Sequence, residues 1–199
     1  MSIRHFCAIT LIAVTAAATA GAQSAAEEIA QGDKESAALN PQAALRHYEA
    51  ALATDRKNVD LLCKAAHAAV DIGAFADSSR DPVGGYTDTV RLGIFQRAVD
   101  YAQRAVTLDS LNTDAQLALA QAAGELQDGE GLFQRLPYAL QSHLAATTCL
   151  AFNPRSADCM HALGLWYVEV MVMDTTQPGA HMMLAALGAH HSQVLVRST

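Results

Sequence analysis

The sequence predicts an all-α fold, a stack of antiparallel helical hairpins of the α-solenoid kind carrying loop insertions. Three observations predict it. A helix-ending pattern recurs as Ala51-Leu52-Ala53-Thr54-Asp55-Arg56-Lys57-Asn58, as Ala105-Val106-Thr107-Leu108-Asp109-Ser110-Leu111-Asn112 and as Cys149-Leu150-Ala151-Phe152-Asn153-Pro154-Arg155-Ser156. Each copy opens with a small and an apolar residue and passes through Asp or Asn. It ends on Asn or Ser, whose side chains cap the free N–H groups of a following helix. Between the copies, apolar residues recur at helical rather than strand spacing. Finally, 51% hydrophobic and 17% charged residues over 199 positions describe a chain able to bury a core. One hairpin cannot bury its apolar face alone, so neighbours stack into a continuous core and leave an extended outer surface for binding.

Counting back from each ending in a frame of about 34 residues, with helix A first and helix B second, the first repeat fills residues 25–58. Its helix A opens at Ser24-Ala25-Ala26-Glu27, a capping-box pattern, and carries Gly32 where the helices of a hairpin come close. Helix B starts at Asn40-Pro41, a cap followed by a first-turn proline, and places Ala44, Tyr48, Ala51 and Leu52 on one face. The second repeat, 59–112, presents Leu62, Ala65, Ala66 and Ala69 on helix A, then Ala98, Ala102, Ala105 and Val106 on helix B. Between them Gly73 to Thr89, with Asp81-Pro82 and Gly84-Gly85, is a predicted loop insertion. The third repeat, 113–156, has a shorter insertion around Gln127 to Pro137, where Gly129 and Gly131 interrupt helix. The fourth, 157–199, begins with a helix A bearing Met160, Leu163, Gly164 and Tyr167, with Gly164 expected at the close approach of the two helices.

The N-terminus belongs to targeting rather than to the fold. Arg4 and His5 precede the apolar run Phe6 to Val14, and Ala20-Gly21-Ala22 supplies the small-x-small pattern that a signal peptidase accepts. Residues 1–22 are therefore expected to be an export signal cut after Ala22, leaving 23–199 as the repeat domain in a periplasmic or secreted protein. The run is short for a span of about 20 strongly apolar residues. Loss of Arg4 takes the formal charge from −7 to −8. Such an acidic balance disfavours DNA, RNA and anionic lipid, which need basic patches.

Cys7 leaves with the signal, so Cys63, Cys149 and Cys159 remain. An odd number without C-x-x-C encodes neither a disulfide framework nor a zinc ribbon. Cys149 replaces the small core residue of its helix ending and is expected to be buried packing; the alternative is a bridge to Cys159, the one pair placed to span a helix turn in an oxidising compartment.

At Leu163-Gly164-Leu165-Trp166-Tyr167 the small, large and aromatic positions resemble tetratricopeptide repeats, most cleanly in the first and fourth frames. The longer string Cys159-Met160-His161-Ala162-Leu163-Gly164-Leu165-Trp166-Tyr167-Val168-Glu169-Val170 resembles the regulator of microtubule dynamics family and its bacterial relatives. Leu165 stands where that family usually has Arg, and an extra residue shifts Glu169 relative to Tyr167. The resemblance implies a tetratricopeptide-like helical adaptor with no catalytic residues to transfer. The microtubule association of eukaryotic members does not carry over to an exported chain.

In tetratricopeptide repeats, positions 2, 5, 9 and 12 of helix A face a concave groove. Here they are Ala26, Ile29, Asp33 and Ser36; Asp60, Cys63, His67 and Val70; Asp114, Leu117, Gln121 and Gly124; and Asp158, His161, Leu165 and Val168. The three Asp at position 2, Asp60, Asp114 and Asp158, with His67 and His161 could engage basic residues of a peptide while Leu117, Leu165 and Val168 supply apolar contact. Against this, an Asp at a helix start also complements the macrodipole, worth roughly 0.3–1 kcal/mol. The expected function is thus a non-catalytic module binding protein or peptide, without a cofactor and with a homo-oligomer allowed.

A second expectation is copper binding. Met160, Met171, Met173, Met182 and Met183 cluster with Cys159, His161, His181, His190 and His191, and such soft ligands suit Cu(I). No tight Met-x-x-Met or His-x-x-x-His cage accompanies them, and Met at helical spacing is commonly core filler. Enzymatic signatures are missing: there is no Gly-x-Ser-x-Gly, His-Glu-x-x-His, phosphate loop or dinucleotide fingerprint. Cys63 and His67, one helical turn apart, form the one nucleophile–base pair, and no orienting acid follows in the right place.

Overall fold

A computed structural model describes residues 24–76, 88–126 and 132–172. The expected export signal, 1–22, and the tail bearing Met173, His181, Met182, Met183, His190 and His191 lie outside the described residues. The described chain is all-helical: α1 (24–37), α2 (Pro41–Thr54), α3 (Val59–Ala76), α4 (Asp88–Leu108), α5 (Thr113–Glu125), α6 (Leu132–Phe152) and α7 (Ala157–Val172). Each odd-numbered helix is an A helix and each even-numbered one a B helix. The A helices α3, α5 and α7 contact one another in sequence, and each B helix from α2 onward also packs on the next A helix. The result is a helical-repeat stack.

The repeated endings build the same junction three times, bond for bond. Asp55, Asp109 and Asn153 donate their backbone N–H to the carbonyls of Ala51, Ala105 and Cys149. Asn58, Asn112 and Ser156 donate to Asp55, Asp109 and Asn153, and Leu62, Gln116 and Met160 donate back to Asn58, Asn112 and Ser156. The expected caps are formed, with Asn58 Oδ1 accepting from Leu61 N–H, Asn112 Oδ1 from Asp114 and Ala115 N–H, and Ser156 Oγ from Cys159 N–H. Asp55 and Asp109 each fold their carboxylate onto the N–H two residues ahead, which explains why an acid or amide starts each turn. The first hairpin turns differently. Leu39 takes φ 57°, and Asn40 N–H reaches the Glu35 carbonyl, a Schellman ending without its customary glycine.

Alanine dominates the core. Ala44, Ala65, Ala66, Ala69, Ala98, Ala102, Ala105 and Ala123 are wholly or almost wholly buried, so the helices approach closely and each contact removes little apolar area. Larger side chains fill slots left by glycine. An added Cβ on Gly32 would lie 2.5 Å from the Tyr48 ring, and one on Gly73 would lie 2.3 Å from Phe95.

Two sequence expectations are corrected here. Gly73 is not a loop residue: it lies inside α3, where its missing side chain makes room for Phe95, and Asp88 and Thr89 already belong to α4. The second insertion is likewise shorter than expected, because α6 starts at Leu132 and contains Pro137, which removes a helical bond without ending the helix. The close approach expected at Gly164 is to a second helix of the fourth repeat, which falls outside the described residues; among those described, a Cβ there meets nothing within 4 Å.

On the outer face, successive B helices are joined by a rung that recurs in register. Two residues before the ending of α2 stands Glu49, and eight before the ending of α4 stands Arg97; these two form an ion pair. The same positions one repeat later are Gln103 and Gln141, joined amide to amide.

Candidate partner-binding face

Positions 5, 9 and 12 of a helix lie along one stripe, and the A helices stand side by side, so the groove positions of neighbouring repeats meet on one face. Toward the N-terminus that stripe is polar and paired within itself. Tyr48 Oη donates to Asp33 at 2.9 Å, and Lys64 Nζ donates to both Asp33 oxygens at 2.7 and 2.9 Å while lying 3.9 Å from Asp60. One repeat further, His67 Nε2 lies 3.5 Å from Asp114 Oδ1. These contacts bridge α1 to α3 and α3 to α5.

Burial and pairing shape the titration of these groups. Burial opposes ionisation of Asp33, yet the hydrogen bonds from Lys64 and Tyr48 outweigh it and hold the carboxyl below its ordinary value. The His67 hydrogen bond does the same for Asp114. Burial, reinforced by Asp33, pushes Tyr48 up to about 12. Asp71 is raised by burial, although His67 pulls the other way.

Cys63 requires a correction. It was expected in the groove, but it is 1% exposed, and burial together with the Asp114 carboxylate pushes its thiol up to about 12. It contributes core volume. The thiolate that a Cys63–His67 nucleophile would need is not favoured at neutral pH. Asp114 and His67 are also less available for a peptide than expected, because they engage each other.

Toward the C-terminus the stripe changes character. Leu117 and Gln121 are half-buried on α5, with Leu117 against the core. On α7, Asp158 and His161 are exposed, Leu165 is 55% exposed and Val168 57%. Their helix is seated firmly. Trp166 is buried with Nε1 donating to the Ala139 carbonyl at 2.8 Å, and its ring lies 4.3 Å from that of His143. A disulfide between Cys149 and Cys159 ties the end of α6 to the start of α7, at positions occupied by Ala51 and Leu61 or by Ala105 and Ala115 in the earlier junctions. The alternative to simple packing is thus the one formed, and Cys159 is accordingly not a thiolate that could serve copper.

α7 also exposes a second set of positions. Met160, Gly164 and Tyr167 correspond to Leu62, Ala66 and Ala69 of α3 and to Gln116, Ala120 and Ala123 of α5, all buried. Met160 is 50% and Tyr167 46% exposed, because no B helix covers α7 among the described residues. Among the same residues no cluster of three His, Cys, Asp or Glu side chains could hold a metal ion, and no helix is long and apolar enough to cross a membrane.

Lys64 escaped the sequence reading, and Tyr48 was read only as a packing residue of its helix and not as a partner of Asp33. Their partner Asp33 is fifteen residues from one and thirty-one from the other, and no local spacing announces such pairs.

A family model described as "Regulator of microtubule dynamics protein 1-3" matches residues 23–189, most of the chain, and the chain belongs to that family. No curated protein matches it.

Proposed function

We propose that this member of the regulator of microtubule dynamics family is an exported, non-catalytic module whose hairpins are of the tetratricopeptide type, and that it grips a segment of a partner protein along its A-helix face. The observation that carries the proposal is the pair Leu165 and Val168, which hold apolar side chains open at groove positions of a helix fixed from behind by Trp166 and the disulfide. Exposed apolar side chains on a rigid support are what a recognition surface requires. Asp60 and Asp158 lie on the same stripe and favour basic residues flanking the apolar one. Two facts support export. The family match begins at residue 23, where the expected signal ends, and a disulfide persists in oxidising compartments.

The test uses mature protein as bait on envelope and secreted fractions, with the captured partner identified by mass spectrometry. Leu165→Asp with Val168→Asp should abolish capture, and Asp60→Lys with Asp158→Lys should weaken it, both with unchanged helical circular dichroism. Capture that survives both double changes refutes the groove. An intact N-terminus beginning at Met1 in exported material, rather than at Gln23, refutes the cleavage.

A further inference from the structure

The outer face holds a cavity of about 540 Å³ between α4, α5 and α6, lined by Gln103, Gln116, Gln141, Leu119, Leu140 and Leu144 among others. None of its lining groups is ionisable. The equivalent hollow one repeat earlier, between α2, α3 and α4, is about 360 Å³ and is lined by Arg46, Glu49 and Arg97. The two hollows share the rung positions, 49 with 103 and 97 with 141, although the earlier one opens against Ala69 and Ile72 of α3 and not against Leu62. Where the earlier repeat has the Glu49–Arg97 ion pair, the later one has Gln103 and Gln141; where α3 has Leu62, α5 has Gln116.

Gln116 is the informative residue. It is only 6% exposed, its Nε2 is committed to the Ser110 carbonyl at 2.8 Å, and its Oε1 has no protein partner among the described residues. That oxygen stays within reach of solvent at the cavity wall, in a position where a leucine packs one repeat away. At the rim, Gln141 Nε2 donates to Gln103 Oε1, which leaves the Gln103 nitrogen and the Gln141 oxygen without protein partners among the described residues. With either orientation of the two amides, the pair offers one donor and one acceptor side by side. Leu119, Leu140 and Leu144 supply apolar wall around them.

We infer that this cavity binds a small neutral molecule with an apolar body and a carboxamide group. The carboxamide donates to the Gln116 or Gln141 oxygen and accepts from the Gln103 nitrogen. A carboxylate or ammonium in its place would meet no opposite charge and would lose solvation. The cavity's volume falls in the range of small-molecule sites.

The experiment follows the side-chain amide resonances of Gln103, Gln116 and Gln141 in nitrogen-15 spectra of the protein. N-acetyl-leucinamide, N-acetyl-leucine and leucinamide are titrated separately; they share one body and differ in charge. The neutral amide should shift these resonances with a Kd on the order of a few mM, as expected for so small a ligand, and the two charged probes should bind about tenfold more weakly or worse. Two variants import the chemistry of the earlier repeat, Gln103→Glu with Gln141→Arg, and Gln116→Leu. Since those residues already pack at the equivalent positions, both variants should keep the helical signal and lose the neutral probe. Silence of the three resonances at saturating neutral probe overturns the inference, as does equal binding of all three probes or undiminished binding by the two variants.

Discussion

Identical Gly→Ala substitutions at four helical positions should change stability in opposite directions, and the structure sets each sign. A glycine within a helix costs about 1 kcal/mol relative to alanine, so with open space the change stabilises. Among the described residues, Gly93 and Gly164 have nothing within 4 Å of an added Cβ. At Gly73 the new atom would lie 2.3 Å from Phe95 Cε1, 2.6 Å from Cζ and 2.8 Å from Cδ1. Carbon atoms pack best at about 3.5–4.0 Å, so the ring would have to retreat by more than about 1 Å. Phe95 is 1% exposed and its ring is part of the buried core. Overpacking of that kind costs about 1–3 kcal/mol, which exceeds the propensity gain over most of that range. Gly73→Ala should therefore destabilise by up to about 2 kcal/mol and lower Tm by up to roughly 8 °C. Gly164→Ala and Gly93→Ala should each raise Tm by roughly 2–4 °C. Gly32→Ala belongs with Gly73, because Tyr48 stands 2.5 Å away and is held by Asp33. Urea unfolding followed by circular dichroism measures all four, and Phe95→Leu should relieve Gly73→Ala specifically. If Gly73→Ala is as stabilising as Gly164→Ala, the account of why α3 and α4 meet at Gly73 fails.

Leu39→Gly should stabilise the protein by about 0.5–1 kcal/mol, because Leu39 is 78% exposed, buries little, and pays for a left-handed conformation that glycine adopts freely; a loss of stability in a thermal melt would contradict this. Replacing Cys149 and Cys159 together by Ala should cost about 2–3 kcal/mol, the loop-closure entropy of a bridge spanning ten residues. Hydrogen exchange should then quicken in α7 before α3, and uniform quickening would mean that the bridge does not act locally. The Asp114 carboxyl titrates below its ordinary value in the folded state, so its contribution is complete above about pH 4 and fades as pH falls through the folded value. Asp114→Asn should accordingly lower stability at neutral pH and shrink the gap to wild type in acid. A gap independent of pH would show that the His67 contact carries no linkage.

The hairpin junctions were legible in the sequence, because their bonds run between residues at most five apart and the side chains that make them, Asp55, Asn58, Asp109, Asn112, Asn153 and Ser156, act on their own neighbourhood. Gly32 was legible for a related reason, since hairpin helices joined by a short turn must meet close to it. Gly73 and Pro137 misled, because loop chemistry read locally cannot register a Phe95 that fills the glycine's space or a helix that tolerates one missing bond.

The groove divides along the same line. The resemblance to tetratricopeptide repeats, through its groove positions, placed Asp60, His67, Asp114, Leu165 and Val168 on one stripe. Only tertiary structure decided that Cys63 is core, that Asp33 is shared by Tyr48 and Lys64, that His67 and Asp114 satisfy each other, and that Leu165 and Val168 stay open. The physical reason is range. Capping and periodicity are fixed within a turn or two of chain, whereas burial, pairing and exposure of a side chain depend on what another helix, tens of residues away, brings against it.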